Sequence, residues 1–203
     1  MILSEKNPKA VEKAIALLKQ GEVIAFATDT IYGIAADATN PKAVEKLYQL
    51  KKRDEKKPIA IFLPNIKSAQ QLFTFDKITK NIVEKYLPGA LTVVAKVNEE
   101  AKKILAKNLN YNDDNFIGFR IVDSLFIKNL FAKFDGILAV SSANISNSQP
   151  AHSADEVAQY FPSLALIISG EIKYKKASTV IKITANKIEL IRQGALEIDE
   201  LKS

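Results

Sequence analysis

Short apolar runs alternate along this chain with segments of helical pattern, and no other feature constrains its fold as much. The apolar runs are "EVIAFA" (22–27), "PIAIFL" (58–63), "LTVVAKV" (91–97), "FIGFRIV" (116–122), "GILAV" (136–140), "LALII" (164–168), "STVIKI" (178–183) and "KIELIR" (187–192). Their length and β-branched content predict strands. Helical spacing fits 77–86, 99–107, 124–134 and 153–161. Strand and helix in alternation predict an α/β layer architecture: a twisted open sheet with flanking helices. The last two runs are joined only by "TAN" and read as a hairpin, so the sheet is mixed, parallel and antiparallel. No Gly/Ser-rich linker or compositional break divides the 203 residues. We therefore expect a single domain over 1–203, with 195–203 as a tail.

The heptapeptide "NPKAVEK" occurs at 7–13 and again at 40–46. The residues after the two copies differ and no third copy exists, which argues against a repeat array. Asn suits a helix N-cap and Pro the first turn, so both copies predict helix starts. Val11, Ala14, Ile15 and Leu18 then form one apolar face, with Gly21 as the stop; Val44, Leu47 and Tyr48 form the other.

Several function classes drop out. There is no cysteine, hence no thiol chemistry or disulfide, and a single histidine leaves no Cys/His zinc site. The N-terminal residues lack a signal-peptide pattern, and no apolar run approaches the ~20 residues a membrane span needs. A cytoplasmic protein with no membrane contact is expected. The formal charge of +6 favours polyanionic partners. Neither G-x-x-x-x-G-K-[ST] nor G-x-G-x-x-G is present, so phosphates would have to be held by side chains and turns. Ser142 and His152 share one short loop, a poor arrangement for a nucleophile and its base.

Four segments carry polar chemistry at the ends of apolar runs, where α/β folds bind ligands. "ATDTIYG" (27–33) gathers Thr28, Asp29, Thr30, Tyr32 and Gly33; it reads equally as a ligand loop or as a strand-to-helix turn with Asp29 as a local cap. "KKRDEKK" (51–57) holds seven charges, five of them positive. Arg53 offers a planar fork for phosphate and Lys51 a point charge, although basic residues also finish helices for the dipole alone. "VSSANIS" (140–146) places a hydroxyl and an amide two apart at Ser142 and Asn144, or is a turn rich in capping residues. Arg120, inside "IGFRIV", is a cation in an apolar strand and needs a partner: a bound anion or a structural acid.

Taken in order, "TDTIYGIAADATN", Lys51-x-Arg53, "LPGALTVV", "GFRIVD", "SSANIS", "STVIKI" and "RQG" resemble the YrdC-like family, which includes the threonylcarbamoyl-AMP synthases, over residues 22–194. The resemblance implies a basic concave face on the sheet. It also implies a nucleotidyltransferase that joins L-threonine, bicarbonate and ATP into threonylcarbamoyl-AMP and pyrophosphate. Partner proteins then modify adenosine in tRNA. By matched position it assigns Lys51, Arg53, Ser142 and Asn144 to catalysis and ATP, with Lys57 and Arg192 also on the nucleotide. Thr28, Thr30, Tyr32, Arg120, Val140 and Ser178 go to threonine. Mg²⁺ would travel with ATP, and no organic cofactor is implied. Lys52, Lys56 and Lys57 surround the clamp as a lid.

The chain departs from the family pattern at Ala27, Asp54, Ser141, Asn147 and Gln193, where turn Pro or Gly residues are usual. Phe62 stands where longer members place a histidine. Two other readings compete: an RNA-binding module without catalysis, and a carbamoyl-nucleotide enzyme acting on another amine. The first lacks the interleaved aromatics of single-strand binders.

Overall fold

The computed structural model describes residues 1–54, 56–109, 115–146, 148–184 and 187–197. Asn147, the 185–186 part of the "TAN" link and the end of the tail lie outside the described residues.

Among the described residues ten strands form one sheet in the order β1-β8-β2-β3-β7-β4-β6-β5-β9-β10. They are β1 (Ile2–Ser4), β2 (Ile24–Ala27), β3 (Tyr32–Asp37), β4 (Ala60–Phe62), β5 (Leu91–Lys96), β6 (Phe116–Arg120), β7 (Leu138–Ser142), β8 (Ile167–Ser169), β9 (Thr179–Thr184) and β10 (Lys187–Arg192). Neighbours β1/β8, β2/β8, β4/β6 and β5/β9 are parallel, and the other pairs antiparallel. The mixed sheet expected from the alternation is present. The helices are α1 (Ala10–Lys19), α2 (Pro41–Lys51), α3 (Ile66–Leu72), α4 (Lys77–Tyr86), α5 (Glu99–Ile104), α6 (Leu125–Phe131) and α7 (Ala154–Tyr160).

The strand period of two sorts side chains between two cores. In β2, Ala25 and Ala27 join the cluster that holds Val44, Leu47 and Tyr48 of α2. Ile24 and Phe26 join the opposite cluster, with Leu18 of α1 and Phe126 and Leu130 of α6. The same alternation runs through the middle strands. Ile61, Val93, Ile117, Phe119, Ala139 and Ile181 face the α2 side. Their neighbours Ala60, Phe62, Thr92, Val94, Gly118, Arg120, Val140, Val180 and Lys182 line a cavity on the other side.

Three expectations need correction. The segment after β2 is not a loop running on to a helix: Tyr32–Asp37 is a strand, antiparallel to β2. Its first five residues are all buried, on both faces, which hides the period-two signal. Strand β1 and helix α3 are absent from the pattern reading, since each is short; Asn65 caps α3 by accepting from the Ser68 N–H. The two copies of "NPKAVEK" also behave differently. Asn40 caps α2 through the N–H groups of Lys42 and Ala43. Asn7 sits in a turn closed by Asn7 N–H on Ser4 C=O, so α1 begins only at Ala10, without a side-chain cap. The chain's departure from β1 puts Asn7 too early to cap.

Candidate functional site

The cavity is about 620 Å³ and spans the sheet from β3 to β10. Small residues make its floor. A Cβ on Gly118 would lie 3.2 Å from Thr92 Cγ2 and 3.3 Å from Ala60 Cβ, and one on Gly33 would lie 3.1 Å from Val140 Cγ1. Arg53, Lys56, Arg120, Lys182 and Arg192 line it, and among the described residues no Asp or Glu does. A cavity wall this rich in cations favours an anionic ligand.

At one end, Arg120 projects from the last position of β6. Its Nε donates to Gly89 C=O at 2.8 Å, Nη1 to Thr30 Oγ1 at 2.8 Å and Nη2 to Asp29 Oδ1 at 2.5 Å. A guanidinium has five N–H groups, so two remain for a ligand. Burial raises the Asp29 pKa, and the charge of Arg120 opposes the rise. The Thr28–Ile31 turn that presents these groups is held by Thr28: its hydroxyl donates to Ile31 C=O at 2.6 Å and accepts from the Thr30 and Ile31 N–H groups. The Tyr32 hydroxyl exchanges hydrogen bonds with Gly170. Ser178 Oγ pairs with Thr92 Oγ1 at 2.8 Å, and the Ser178 carbonyl accepts from Arg192 at 2.9 Å.

At the other end, α2 finishes at Lys51, and Lys52 takes left-handed backbone (φ 50°) as its C-cap. The turn delivers Arg53 to the cavity wall, where Nη2 donates to Pro58 C=O at 3.0 Å. Lys51 points inward instead. Its Nζ donates to Ser142 C=O at 2.6 Å, Asn144 Oδ1 at 2.8 Å and Asn144 C=O at 2.9 Å. Burial, with the charge of Arg53, lowers its pKa to about 7.

All six residues expected at threonine, Thr28, Thr30, Tyr32, Arg120, Val140 and Ser178, line this one cavity. Of those expected at ATP, Arg53, Ser142 and Arg192 line it, whereas Lys51 and Asn144 are buried behind its wall and Lys57 is exposed outside it. For Arg120, the structural acid exists: it is Asp29, not a local cap. Sequence reading missed Thr92, Lys182 and the Ala60–Gly118 floor. Stepping by two from Arg120 would have reached Gly118 and Phe116, and the same step in "LTVVAK" reaches Thr92 and Val94.

The fold and this cavity define a mixed-sheet α/β protein with a cation-lined cavity across its sheet. The chain belongs to the Sua5/YciO/YrdC family, described as "Telomere recombination", whose sequence model matches residues 16–194. A Methanocaldococcus jannaschii relative is 34% identical over 203 residues, covering 97% of this chain and 93% of its own. The human threonylcarbamoyl-AMP synthase is 33% identical over 198 residues, 93% of this chain and 69% of that one. The crystal structure of Pyrococcus abyssi Sua5 complexed with L-threonine superposes with a TM-score of 0.86 at 25% identity; it matches 95% of this chain, which spans 56% of that longer one. Escherichia coli YciO has the same fold, with a TM-score of 0.85 at 17% identity over 99% of this chain and 97% of its own. Among the described residues no helix is long and apolar enough to cross a membrane.

Proposed function

We propose that this chain is an L-threonylcarbamoyladenylate synthase. The observation that carries the reading is the buried Arg120, with two N–H groups left over among the described residues, at one end of a cavity lined also by Arg53, Lys56 and Arg192. Curated relatives named threonylcarbamoyl-AMP synthase support it.

The amine of threonine, having lost a proton to solvent, adds to the carbon of bicarbonate; water leaves and a carbamate forms. A carbamate oxygen then attacks the α-phosphorus of ATP, the bond to the β-phosphate breaks, and pyrophosphate departs. In this chain Arg120 takes the threonine carboxylate, with Thr30 and Ser178 beside it. Arg53 and Arg192 neutralise the phosphates, and Ser142, whose hydroxyl donates to Asn144, lines the wall beside them. No protein nucleophile is required, so catalysis rests on positioning and charge stabilisation. Mg²⁺ would enter as part of the nucleotide substrate, since it commonly keeps water and phosphate oxygens as ligands. The adenylate would supply a tRNA-modifying reaction in the cytoplasm through partner proteins.

The test is pyrophosphate release from ATP with bicarbonate and each amino acid in turn. Release that needs both threonine and bicarbonate is expected. Release with a different amine would move the chain to another carbamoyl-nucleotide chemistry. RNA binding without ATP turnover would reject the enzyme.

A further inference from the structure

We propose that Lys51 is a positioning residue: its ammonium is the post on which the Ser142–Asn144 turn is hung, and the anion contact on that wall belongs to Arg53. A lysine ammonium has three N–H donors. Here three carbonyl-type oxygens lie within 2.9 Å of Nζ, namely Ser142 C=O, Asn144 C=O and Asn144 Oδ1. The Ser142 hydroxyl stands farther away, at 3.3 Å. No donor is left for a phosphate. Lys51 is 2% exposed and does not line the cavity, although its neighbour Arg53 does.

The turn is built around this post. Asn144 Oδ1 also accepts the Ser142 hydroxyl at 2.6 Å, and Nδ2 donates to Ile145 C=O at 2.9 Å and Ser148 C=O at 2.7 Å. Both donors of the amide are therefore spent inside the turn. Ser146 closes it from the far side, its N–H and hydroxyl both donating to the Lys51 carbonyl at 3.0 and 3.1 Å. The end of α2 and the end of β7, 91 residues apart in sequence, are thus joined by one side chain and one main-chain carbonyl. The same turn is tied to the Thr28–Ile31 hairpin, because Ala143 N–H donates to Tyr32 C=O at 2.8 Å and Tyr32 N–H to Ala151 C=O at 3.2 Å. Lys51 therefore sets where Ser142 stands on the cavity wall and braces the strand that carries the threonine end. Its charge is consumed by the protein, whereas Arg53 donates to Pro58 C=O at 3.0 Å and to Lys57 C=O at 3.4 Å among the described residues and keeps further N–H groups for an anion.

Hydrogen exchange without ligand tests the post directly. In Lys51→Met, which keeps length and burial but has no donor, the amides of Ala143, Ser146 and Ala151 should exchange at least tenfold faster, while those of β5 and β9 hold. Unchanged exchange overturns the proposal. Should Lys51→Met not fold, ¹⁵N-lysine spectra of the unmodified protein decide: the Lys51 Nζ signal should keep its position as ATP saturates the site. A shift as large as that of the Arg53 guanidinium would assign Lys51 to the phosphate. A third arm rests on the proposed use of ATP. Lys51→Met and Asn144→Ala should each weaken ATP by tenfold or more, with the double variant within about twofold of the weaker single. Multiplying losses would show an independent contact and overturn the proposal. An unmodified chain that does not bind ATP rejects the nucleotide reading and leaves the exchange result to judge Lys51.

Discussion

Asp29 Oδ1 lies 2.5 Å from Arg120 Nη2, both side chains are at most 4% exposed, and among the described residues Asp29 Oδ2 has no hydrogen-bond partner. A pair this deeply buried gains little net stability over an apolar pair of the same shape, but breaking it from one side leaves a stranded charge. The geometry therefore makes Asp29 the internal counter-ion that allows a buried arginine to exist in the sheet.

Removing Arg120 by itself confuses folding with binding. Arg120→Met should lower stability by about 3–5 kcal/mol, because Asp29 is left unpaired. Arg120→Met together with Asp29→Asn removes both charges and should recover most of that loss. Threonine affinity should remain weakened by roughly 2 kcal/mol or more in the double variant, with ATP affinity little changed. Denaturant titrations of both variants and calorimetry on the double variant measure this. Normal threonine binding by the double variant would remove Arg120 from the substrate.

The cavity floor predicts a steric effect of a different kind. Gly118→Val would press its extra carbons on Thr92 Cγ2 and Ala60 Cβ, already 3.2 and 3.3 Å from the position of a Cβ. Overpacking of this sort costs about 1–3 kcal/mol. Carbons that escape the clash must rise into the ligand's space. A folded variant with threonine and ATP affinities both lowered about tenfold is expected; calorimetry that finds both intact would show that ligands do not reach the floor.

The range of each interaction decides whether the sequence discloses it. Strand periodicity and helix caps are local, so β10 (Lys187–Arg192) and α4 (Lys77–Tyr86) fall where the pattern puts them. The Thr-Asp-Thr segment and Arg120 stand out because polar residues interrupt apolar runs. Their pairing does not, since nothing local ties Asp29 to a residue 91 positions away. The same holds for Lys51. Its place at a helix end suggests a solvated or phosphate-facing charge, and only the approach of β7 turns it inward. Asn7 and Asn40 begin the same heptapeptide but cap only once, because the turn after β1 is a tertiary constraint.

The inward lysine has a pH signature. Its folded pKa of about 7 lies below the ordinary 10.5, with burial the main cause. Between those values the unfolded chain binds a proton that the folded chain does not. Stability relative to Lys51→Met should therefore rise with pH from about 7 to 10.5 and be flat below 7. The size should be on the order of a few kcal/mol. ATP affinity should move the opposite way, falling above pH 7 as the charge that holds the turn is lost. Urea titrations of both proteins from pH 6 to about 10 decide. A constant difference would mean that the three oxygens keep the ammonium charged throughout.

Arg53 gives the most direct test of the phosphate wall. It is partly exposed, lines the cavity and is held through Pro58 C=O, so a change there alters the ligand side with little effect on packing. Arg53→Lys keeps the charge and removes the planar fork. Catalytic efficiency in pyrophosphate release should fall by about 10²-fold or more, as when one preorganised transition-state donor is lost. Stability should change by less than ~0.5 kcal/mol. The neighbouring lysines are internal controls, and the structure separates them: Lys56 lines the cavity and Lys57 does not. Lys56→Ala should therefore cost several-fold through weaker attraction of the nucleotide, fading as salt is added, while Lys57→Ala should be near normal. Steady-state assays of the three variants at low and high salt carry the comparison. If Arg53→Lys turns over at the normal rate, the fork is not a phosphate contact. If Lys57→Ala loses as much as Arg53→Lys, the phosphates lie outside the wall that Arg53 and Lys56 form.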